Sequence, residues 1–370
     1  MTLATADRTR LLATLDQLAG GVEELYLSGL TTASEATRQV LGVAFQEASR
    51  LRLLRLGSTL RAANEELGRF TRNDADFSRR RLNFFLNRSW LLSRGLTRAI
   101  KEGDDKEFEK LLWMPASQPV DRLELVTLGI AKKVATGAFC AFDFRMRTIK
   151  ESGSIPAGQR LAWSCIFPLQ PGVEVPPEGF LHLPQKQKFK ASLFLEKKTI
   201  VVEKAAVALD GGGSRMSLGE QSTVRTDEAF TAWDQFQTWD PAAALERIQK
   251  HEPGPFDLDV EMQEEIVLLD WQVEEPKTRP EDGQLVYSLS SGTMRFDAVV
   301  SPGVEGKALA GALEDLRKKK RRPPLFGLMH YERCRLILQP LSVFGKDGPE
   351  YLTVSDETVD RAALLKALKF

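Results

Sequence analysis

The sequence contains few residues of the kinds that build disulfides, zinc sites or nucleophilic centres. Its 370 residues include three cysteines and three histidines, all widely spaced. An odd, scattered set of cysteines does not form a disulfide framework, and no Cys-x-x-Cys or His-Glu-x-x-His spacing is present. These absences disfavour a disulfide-stapled secreted protein and a zinc enzyme. We therefore expect a cytoplasmic protein, and the sequence indicates no cofactor and no metal.

Long apolar runs, nucleotide-binding motifs and an excess of either charge are also lacking. No uninterrupted apolar stretch approaches the roughly 20 residues of a membrane span, so we expect no membrane association. No P-loop or G-x-G-x-x-G is present, and Gly211-Gly212-Gly213 fits a turn between two strands. The 51 basic residues balance the 51 acidic ones, which argues against binding a polyanion through bulk charge.

Proline is absent before Pro115, and the first third of the chain has the pattern of helices. Leu, Ala, Glu and Arg dominate, and all are good helix formers. Apolar residues recur at three- and four-residue spacing from Leu53 to Phe70. Thr32-Ala33-Ser34-Glu35 fits a capping box that would begin one long helix over 35–68. Because an amphipathic helix must bury its apolar stripe, the pattern predicts an all-α helical bundle over residues 1–115.

Beyond Pro119 the apolar period changes from that of helices to that of strands. Short turns between successive strands favour antiparallel pairing, and helices come too rarely for a regular βαβ repeat. Residues 120–370 therefore predict an α+β domain with a mainly antiparallel sheet, and a further division near residue 252 stays open. The predicted strands lie near 142–146, 160–167, 189–195, 199–209, 216, 266–273, 285–289, 294–300 and 325–344. The predicted helices lie near 227–250, 304–320 and 358–369.

Basic residues are concentrated in the predicted helices. Residues 50–98 hold twelve arginines and four acidic residues, a local net charge of +8. Guanidinium groups pair bidentately with phosphate, so this segment is a candidate nucleic-acid contact. The alternative is a solvated helix face with ion pairs to acidic neighbours. The candidate contacts are Arg52, Arg55, Arg79, Arg80 and Arg81.

A second basic run precedes Pro323-Pro324. It resembles a localisation or nucleic-acid-binding cluster, but cations followed by proline also fit an ordinary helix C-terminus. The run consists of Lys318, Lys319, Lys320, Arg321 and Arg322.

Acidic residues are concentrated in one segment of the predicted α+β domain. Residues 252–282 carry a local net charge of −9. This segment is a candidate interaction patch for a basic partner, and it could instead pair with the arginine segment of the same chain. A hard-cation site is a further alternative, although the EF-hand spacing is missing. The candidate residues are Asp257, Asp259, Glu261, Glu264 and Glu265.

These observations favour a non-enzymatic scaffold or interaction protein of a multiprotein assembly, which recognises other proteins through its charged patches. The first alternative is a nucleic-acid-binding protein that uses the arginine segment 50–98. The second is a metal-dependent hydrolase or nuclease, which would need Asp143, Glu196 and Lys198 to converge in space. The sequence identifies no catalytic residues and leaves the oligomeric state open.

Overall fold

The computed structural model describes residues 5–31, 35–74, 77–112, 117–135, 139–169, 176–209, 214–250, 263–280, 283–301, 304–332 and 335–354. The chain divides into two compact units, which contain the helices of 5–112 and the strands of 117–354. The fold is α+β, with an N-terminal helical bundle and a mainly antiparallel β-rich region, as the sequence predicts. The predicted capping box, the Gly211–Gly213 turn and the predicted helix at 358–369 lie wholly or mainly outside the described residues.

The helical unit contains five helices joined by short connections. Their buried faces are rich in leucine, and Leu18, Leu60 and Leu96 are fully inaccessible to solvent. Burial of these apolar stripes supplies most of the stability of such a bundle. The helices are α1 (Thr5–Ser28), α2 (Glu35–Arg50), α3 (Leu54–Thr71), α4 (Arg79–Glu102) and α5 (Asp105–Leu112). None of the described helices is both long enough and apolar enough to cross a membrane.

The single helix predicted over 35–68 is wrong, because the chain turns between α2 and α3. Arg52 has a left-handed φ of 56°, and the Leu53 amide donates to the Ala48 carbonyl at 2.8 Å. This is the hydrogen bond of a Schellman C-cap, in which glycine is the usual left-handed residue. Leu51 and Leu53 are buried on either side of Arg52. Their burial holds the turn without the glycine that would have revealed it in the sequence.

The first part of the β-rich unit is a closed barrel of five strands. They are β1 (Ser117–Ala135), β2 (Phe139–Thr148), β3 (Arg160–Pro168), β4 (Lys198–Ala208) and β5 (Arg215–Ala229). The barrel closes in the order β1-β2-β3-β5-β4, and β3 pairs with β5 in parallel while the other pairs are antiparallel. This strand order is that of the OB-fold. Alternate residues of β2 fill the interior, where Phe142, Phe144 and Met146 are fully buried.

The segment between β3 and β4 was predicted as a strand over 189–195, and this prediction is wrong. Residues Ala191–Leu195 form a 3₁₀ helix, and a second 3₁₀ helix spans Pro177–His182. Phe194 stacks on Trp163 with ring centroids 4.7 Å apart, and Phe189 packs on the same ring at 5.8 Å. The alternating apolar residues of this segment therefore pack into the barrel interior and do not form a strand.

The second part of the β-rich unit repeats the pairing order of the first. Its sheet has the order β6-β11-β12-β10-β9-β7, in which β10 and β12 are parallel. β6 and β7 are separated by three residues and lie at opposite ends of this order, so together they take the place of the first strand of an OB-fold. The strands are β6 (Glu264–Leu268), β7 (Gln272–Val273), β8 (Lys277–Thr278), β9 (Leu285–Ser291), β10 (Met294–Val300), β11 (Leu325–Glu332), β12 (Arg335–Gly345) and β13 (Gly348–Tyr351). The helices are α6 (Pro241–Lys250), before β6, and α7 (Val304–Lys318), between β10 and β11.

The two sheets of this unit pack through an apolar interface. Val126 and Leu128 of β1 cluster with Phe326, Leu328 and Leu341 of β11 and β12. A register shift at Thr127/Gly129 interrupts the pairing of β1, and the Ser342 hydroxyl donates to the Leu128 carbonyl. The bulge thus supplies a backbone acceptor to the second sheet, so a hydrogen bond joins the two sheets in addition to side-chain packing.

Gly129 provides a test of this interface. A Cβ atom at this position would lie 2.7 Å from the Phe326 ring and 2.8 Å from the Leu341 Cβ. We expect Gly129→Ala to lower the free energy of unfolding by about 1–3 kcal/mol, as overpacking usually does. Urea denaturation measures the change. Gly219→Ala is the control, because a Cβ there meets only the Ser222 hydroxyl at 3.9 Å, and an equal loss in both variants would contradict the prediction.

Candidate nucleic-acid interface

Helix α4 has the most one-sided charge among the described helices. Its 24 residues include six arginines and Lys101, and its one acidic residue, Glu102, is the last in the helix. A helix face so rich in cations either pairs with carboxylates from neighbouring helices or remains available for an external anion. The structure shows which cations of α4 pair with carboxylates and which do not.

Three of the α4 arginines are committed to ion pairs within the helical unit. Arg81 donates to the buried Glu66 of α3 at 3.0 Å. Arg94 donates to Glu23 of α1 at 2.8 Å, and Arg98 lies 3.1 Å from Glu102. The hydrogen bonds from Trp90 and Arg94 lower the pKa of Glu23. These arginines therefore serve the bundle itself.

The N-terminal half of α4 presents a different face to solvent. Arg80, Phe84 and Arg88 recur every four residues, so they lie on one side of the helix. The Phe84 side chain is 43% exposed, and the Arg88 guanidinium lies 5.9 Å from its ring centroid. Asn83 and Asn87 are exposed beside them. We call the set of Arg79, Arg80, Asn83, Phe84, Asn87 and Arg88 the α4 face.

Arg79 and Arg80 have no carboxylate within ion-pair distance among the described residues. They also occupy the first turn of α4, where the backbone amides already carry partial positive charge and acidic residues would be favourable. Ser78 caps the helix by accepting from the Arg81 amide at 3.3 Å. Cations that oppose the helix dipole are explained better by an external anion than by the stability of the helix.

A groove on α3 adjoins the connection that leads to this face. It has a volume of about 270 Å³ and is lined by Asn64, Leu67, Gly68, Thr71 and Arg72. Arg72 is exposed and, like Arg79 and Arg80, pairs with no carboxylate in the described part of the chain. Its guanidinium lies over Gly68, where a Cβ would come within 3.2 Å of Nη1. The groove therefore adds a third available guanidinium near the α4 face.

A buried carboxylate fixes this connection. Glu66 is 3% exposed and accepts from Arg69 at 2.7 Å, from the Ser78 amide at 3.0 Å and from Arg81. Charge-assisted hydrogen bonds of this kind are stronger than neutral ones. The first turn of α4 is thus held in place before any ligand arrives, which lowers the entropic cost of binding.

The structure divides the five arginines predicted as contacts. Arg79 and Arg80 are exposed and available, and Arg52 is exposed in the α2–α3 turn. Arg55 is only 8% exposed within α3, so little of it is open to an external ligand, and its prediction as a contact gains no support. Arg81 is exposed in part but is held by Glu66. Asn83, Phe84 and Asn87 are not among the contacts predicted from the sequence, although their spacing from Arg80 was a usable signal.

The second basic run follows the end of α7. Lys318 pairs with Asp315 at 3.4 Å, while Arg322 donates to Gln272 at 2.7 Å and lies 5.9 Å from the Trp271 ring centroid. These contacts give the two ends of the run structural roles. The middle residues Lys319, Lys320 and Arg321 are exposed.

The acidic patch differs from its prediction as a partner-facing surface. Asp257, Asp259 and Glu261 lie outside the described residues, whereas Glu264 and Glu265 are 8% and 7% exposed. Both are paired with arginines of the same unit, so the structure gives no support to their prediction as partner contacts.

Four arginines surround these two carboxylates. Glu264 accepts from Arg160 of β3 at 2.8 Å and from Arg247 of α6 at 2.6 Å. Glu265 lies 2.6 Å from Arg147 of β2 and 4.0 Å from Arg145. The pairs therefore link β6 to β2 and β3 of the first barrel, across the apolar interface. They occupy part of the outer β2–β3 surface, which in OB-folds often binds ligands.

Low pH is expected to weaken the ion pairs that join the two sheets. Burial opposes ionisation of Glu264, but the hydrogen bonds from Arg247 and Arg160 prevail and lower its pKa from the ordinary 4.5. A lowered pKa adds stability above about pH 5, and this stability is lost as the pH falls further. We expect the β-rich unit to lose stability as the pH falls below about 5, and Glu264→Gln to flatten this dependence. Thermal unfolding at a series of pH values measures both, and an unchanged slope in the variant would exclude the effect.

The structure offers no support for the hydrolase alternative. Asp143 accepts from Lys133 at 2.9 Å and from Ser164 at 2.6 Å, and Glu196 pairs with Lys198 at 2.8 Å. No group of three His, Cys, Asp or Glu residues is arranged to hold a metal within the described ranges. Cys140 and Cys165 are buried in the first barrel, and burial raises the pKa of each thiol to about 12. Neither thiol is therefore an activated nucleophile.

Comparisons with known proteins do not assign this chain to a family. No family model and no curated protein sequence matches the chain. Among solved structures, the Ifi202 HINa domain in complex with double-stranded DNA is 12% identical, and the match covers 60% of this chain and 94% of that one at a TM-score of 0.28. The p202 HIN1 domain with a DNA 12-mer is 11% identical, with coverages of 61% and 92% and a TM-score of 0.31. Similarity at this level carries no argument about the function of the present chain.

Proposed function

We propose that the chain is a non-enzymatic binding protein whose helical unit contacts nucleic acid through the α4 face. The observation that carries this proposal is the pair Arg79 and Arg80, which are exposed, lack carboxylate partners among the described residues and lie at a helix N-terminus. Guanidinium groups in this position suit phosphate, because the helix dipole and the free amides add to their charge.

The remaining residues of the α4 face fit the same ligand. The exposed ring of Phe84 offers a stacking surface for an unpaired base, and asparagine side chains such as Asn83 and Asn87 can hydrogen-bond base edges. The Arg80-to-Arg88 stripe spans eight residues, which corresponds to about 12 Å along the helix. That length matches a contact with a few successive nucleotides of one strand.

The arrangement differs from a helix-turn-helix motif. Residues 72–78 separate α3 from α4, and this connection is longer than the roughly three or four residues of that motif. The proposal therefore rests on the charge and exposure of the α4 face and not on a known docking geometry.

Salt-dependent binding of the full chain tests the proposal. Fluorescence anisotropy should detect binding to labelled DNA at about 50 mM salt, with an affinity that falls steeply at higher salt. Phe84→Ala should weaken binding to a single strand more than to a duplex, because stacking needs unpaired bases. No binding to either DNA or RNA at low salt would rule the proposal out.

A protein partner is the second candidate, and it corresponds to a scaffold role. Tyr26 and Leu27 at the end of α1 are 45% and 89% exposed, and the Tyr26 hydroxyl donates to the Asn83 carbonyl of α4. Exposed apolar and aromatic side chains of this kind are common at protein interfaces. Leu27→Ser should leave nucleic-acid affinity unchanged, whereas it should weaken a protein complex recovered by pull-down. Loss of the protein complex without nucleic-acid binding would favour this second candidate.

A further inference from the structure

A lysine-bearing turn projects from the connection between β3 and β4 in the first barrel. Pro184 and Lys190 form an isolated antiparallel bridge, and the Gln185 amide donates to the Phe189 carbonyl at 2.7 Å. The Lys188 amide donates to the Gln185 carbonyl at 2.9 Å. Residues 184–190 therefore form a closed, hydrogen-bonded turn, which we call the lysine turn.

Side chains that point inward anchor the lysine turn to the barrel. Phe189 is 6% exposed and packs on Trp163. The Gln187 side-chain amide donates to the carbonyls of Leu218 and Gly219 in β5, at 3.3 and 3.2 Å. These contacts hold the turn in one place on the barrel surface.

The intervening residues point outward and are all lysine. Lys186, Lys188 and Lys190 are exposed, and no ion pair involves them among the described residues. The sequence from 179 to 195 contains no acidic residue. Three carboxylates lie close in sequence to the turn or to its contacts in β5. Glu178 is buried against Lys132, Glu196 pairs with Lys198, and Glu220 is exposed. The turn therefore presents three exposed ammonium groups that form no ion pair among the described residues.

Lys188 also has an unfavourable backbone conformation. Its φ is 65°, in the left-handed region that glycine and asparagine adopt with less strain than lysine. The Lys188 side chain makes no hydrogen bond or ion pair among the described residues that would compensate for this strain. A strained residue that bears an available charge is more consistent with a ligand contact than with a stabilising role.

We propose that the lysine turn is itself a nucleic-acid contact of the β-rich unit, which binds backbone phosphates through charge and acts independently of the α4 face. This inference rests on the proposed function. Lysine acts on phosphate as a point charge on a flexible stem, which suits contact without sequence recognition. A nucleic acid long enough to reach both contacts binds more tightly than it would through either contact alone.

The composition of the turn favours nucleic acid over a lipid surface. Surface-bound membrane segments combine basic residues with exposed Trp, Phe or Leu side chains that enter the bilayer. Phe189, the one aromatic residue of the lysine turn, is buried in the barrel. The turn therefore offers charge without an inserting side chain.

The test compares two charge-matched triple variants of the full chain by fluorescence anisotropy with duplex DNA. Lys186→Gln/Lys188→Gln/Lys190→Gln should bind at least tenfold more weakly than wild type at about 50 mM salt, and its salt slope should be smaller by about two to three. The control replaces three exposed lysines in the second part of the β-rich unit, and it should bind like wild type. It consists of Lys277→Gln, Lys307→Gln and Lys346→Gln.

The outcomes separate this inference from the proposed function. Equal binding by wild type and the lysine-turn variant, with binding lost in an Arg79→Gln/Arg80→Gln variant, would overturn the inference alone. Equal loss in the control would also overturn it, because the effect would then reflect net charge. Binding of wild type to phosphatidylserine vesicles but not to DNA, abolished by the lysine-turn variant, would refute the nucleic-acid assignment of both sites.

A single substitution gives a readout that a purely structural turn would not show. Lys188→Asn keeps the left-handed conformation with less strain, so the melting temperature should rise or stay unchanged. DNA affinity should nevertheless fall, because one cation is lost. A lower melting temperature with unchanged DNA affinity would show that Lys188 is structural and would contradict the inference.

Discussion

Replacement of Lys132 by methionine is expected to destabilise the β-rich unit by about 3–5 kcal/mol. Lys132 of β1 pairs in register with Phe142 and is 5% exposed, and its Nζ lies 2.8 Å from Glu178 Oε1. Glu178 belongs to the 3₁₀ helix Pro177–His182, and its side chain is 6% exposed. Removal of the lysine would take away the counter-charge that Lys132 supplies to this buried carboxylate, so less of the cost of its desolvation would be offset.

Two further variants make this prediction specific. Lys133→Met is the neighbouring control, because Lys133 is 56% exposed and its pair with Asp143 lies at the surface. Its cost should be below about 1 kcal/mol. The double variant Lys132→Met/Glu178→Met should recover much of the stability lost, since neither charge then remains buried. Urea unfolding measures all three, and equal losses for Lys132→Met and Lys133→Met would contradict the role assigned to the buried pair.

The double substitution Arg79→Gln/Arg80→Gln is expected to lower nucleic-acid affinity by about a hundredfold. Each guanidinium contact with phosphate is a charge-assisted hydrogen bond, whose loss costs about tenfold in affinity or more. The same variant should be at least as stable as wild type, because it removes two cations from the first turn of α4. Anisotropy titrations and thermal melts measure the two effects in the same preparation.

The matched control removes two exposed cations far from the first turn of α4, Lys101 at the end of α4 and Lys106 in α5. Lys101→Gln/Lys106→Gln has the same change in net charge, and neither lysine forms an ion pair among the described residues. Its affinity should stay within about threefold of wild type, since rim charges act mainly on association rate. An equal loss in both double variants would mean that net charge, not the α4 face, governs binding.

The fold was predictable where one apolar face determines an element. The stripes of α3 and α4 and the alternation in β2 are read directly from the sequence, because each element buries one side. Strand β1 was not predicted, because it buries both sides. Leu125 and Ile130 belong to the barrel interior, whereas Val126 and Leu128 pack on the second sheet. A strand buried on both faces has no alternation to detect.

The pairing order that the two sheets share was also not predictable from the sequence. The two sheets share a pairing order, but their connections differ: two 3₁₀ helices link β3 to β4, whereas α7 links β10 to β11. Sequence repeats are detectable when equivalent positions keep the same residue types. Here only the burial pattern and the pairing order recur, so the sequence shows no period.

The candidate site was predictable in its charge but not in its geometry. The density of arginine marks 79–81, yet only the fold shows that Glu66 captures Arg81 and leaves Arg79 and Arg80 available. The partners of Glu264 lie 104 and 17 residues away in sequence, at Arg160 and Arg247. Local charge counts cannot identify pairs that the tertiary fold brings together at such separations.

The dependence of DNA affinity on salt tests the nucleic-acid proposal most directly. For each phosphate contact, the plot of log K against log salt steepens by about 0.9. The proposal predicts a clearly negative slope for wild type, a slope smaller in magnitude by about two for Arg79→Gln/Arg80→Gln, and no change for Lys101→Gln/Lys106→Gln. A wild-type slope near zero, or identical slopes for all three proteins, would contradict the assignment of the α4 face as a phosphate-binding surface.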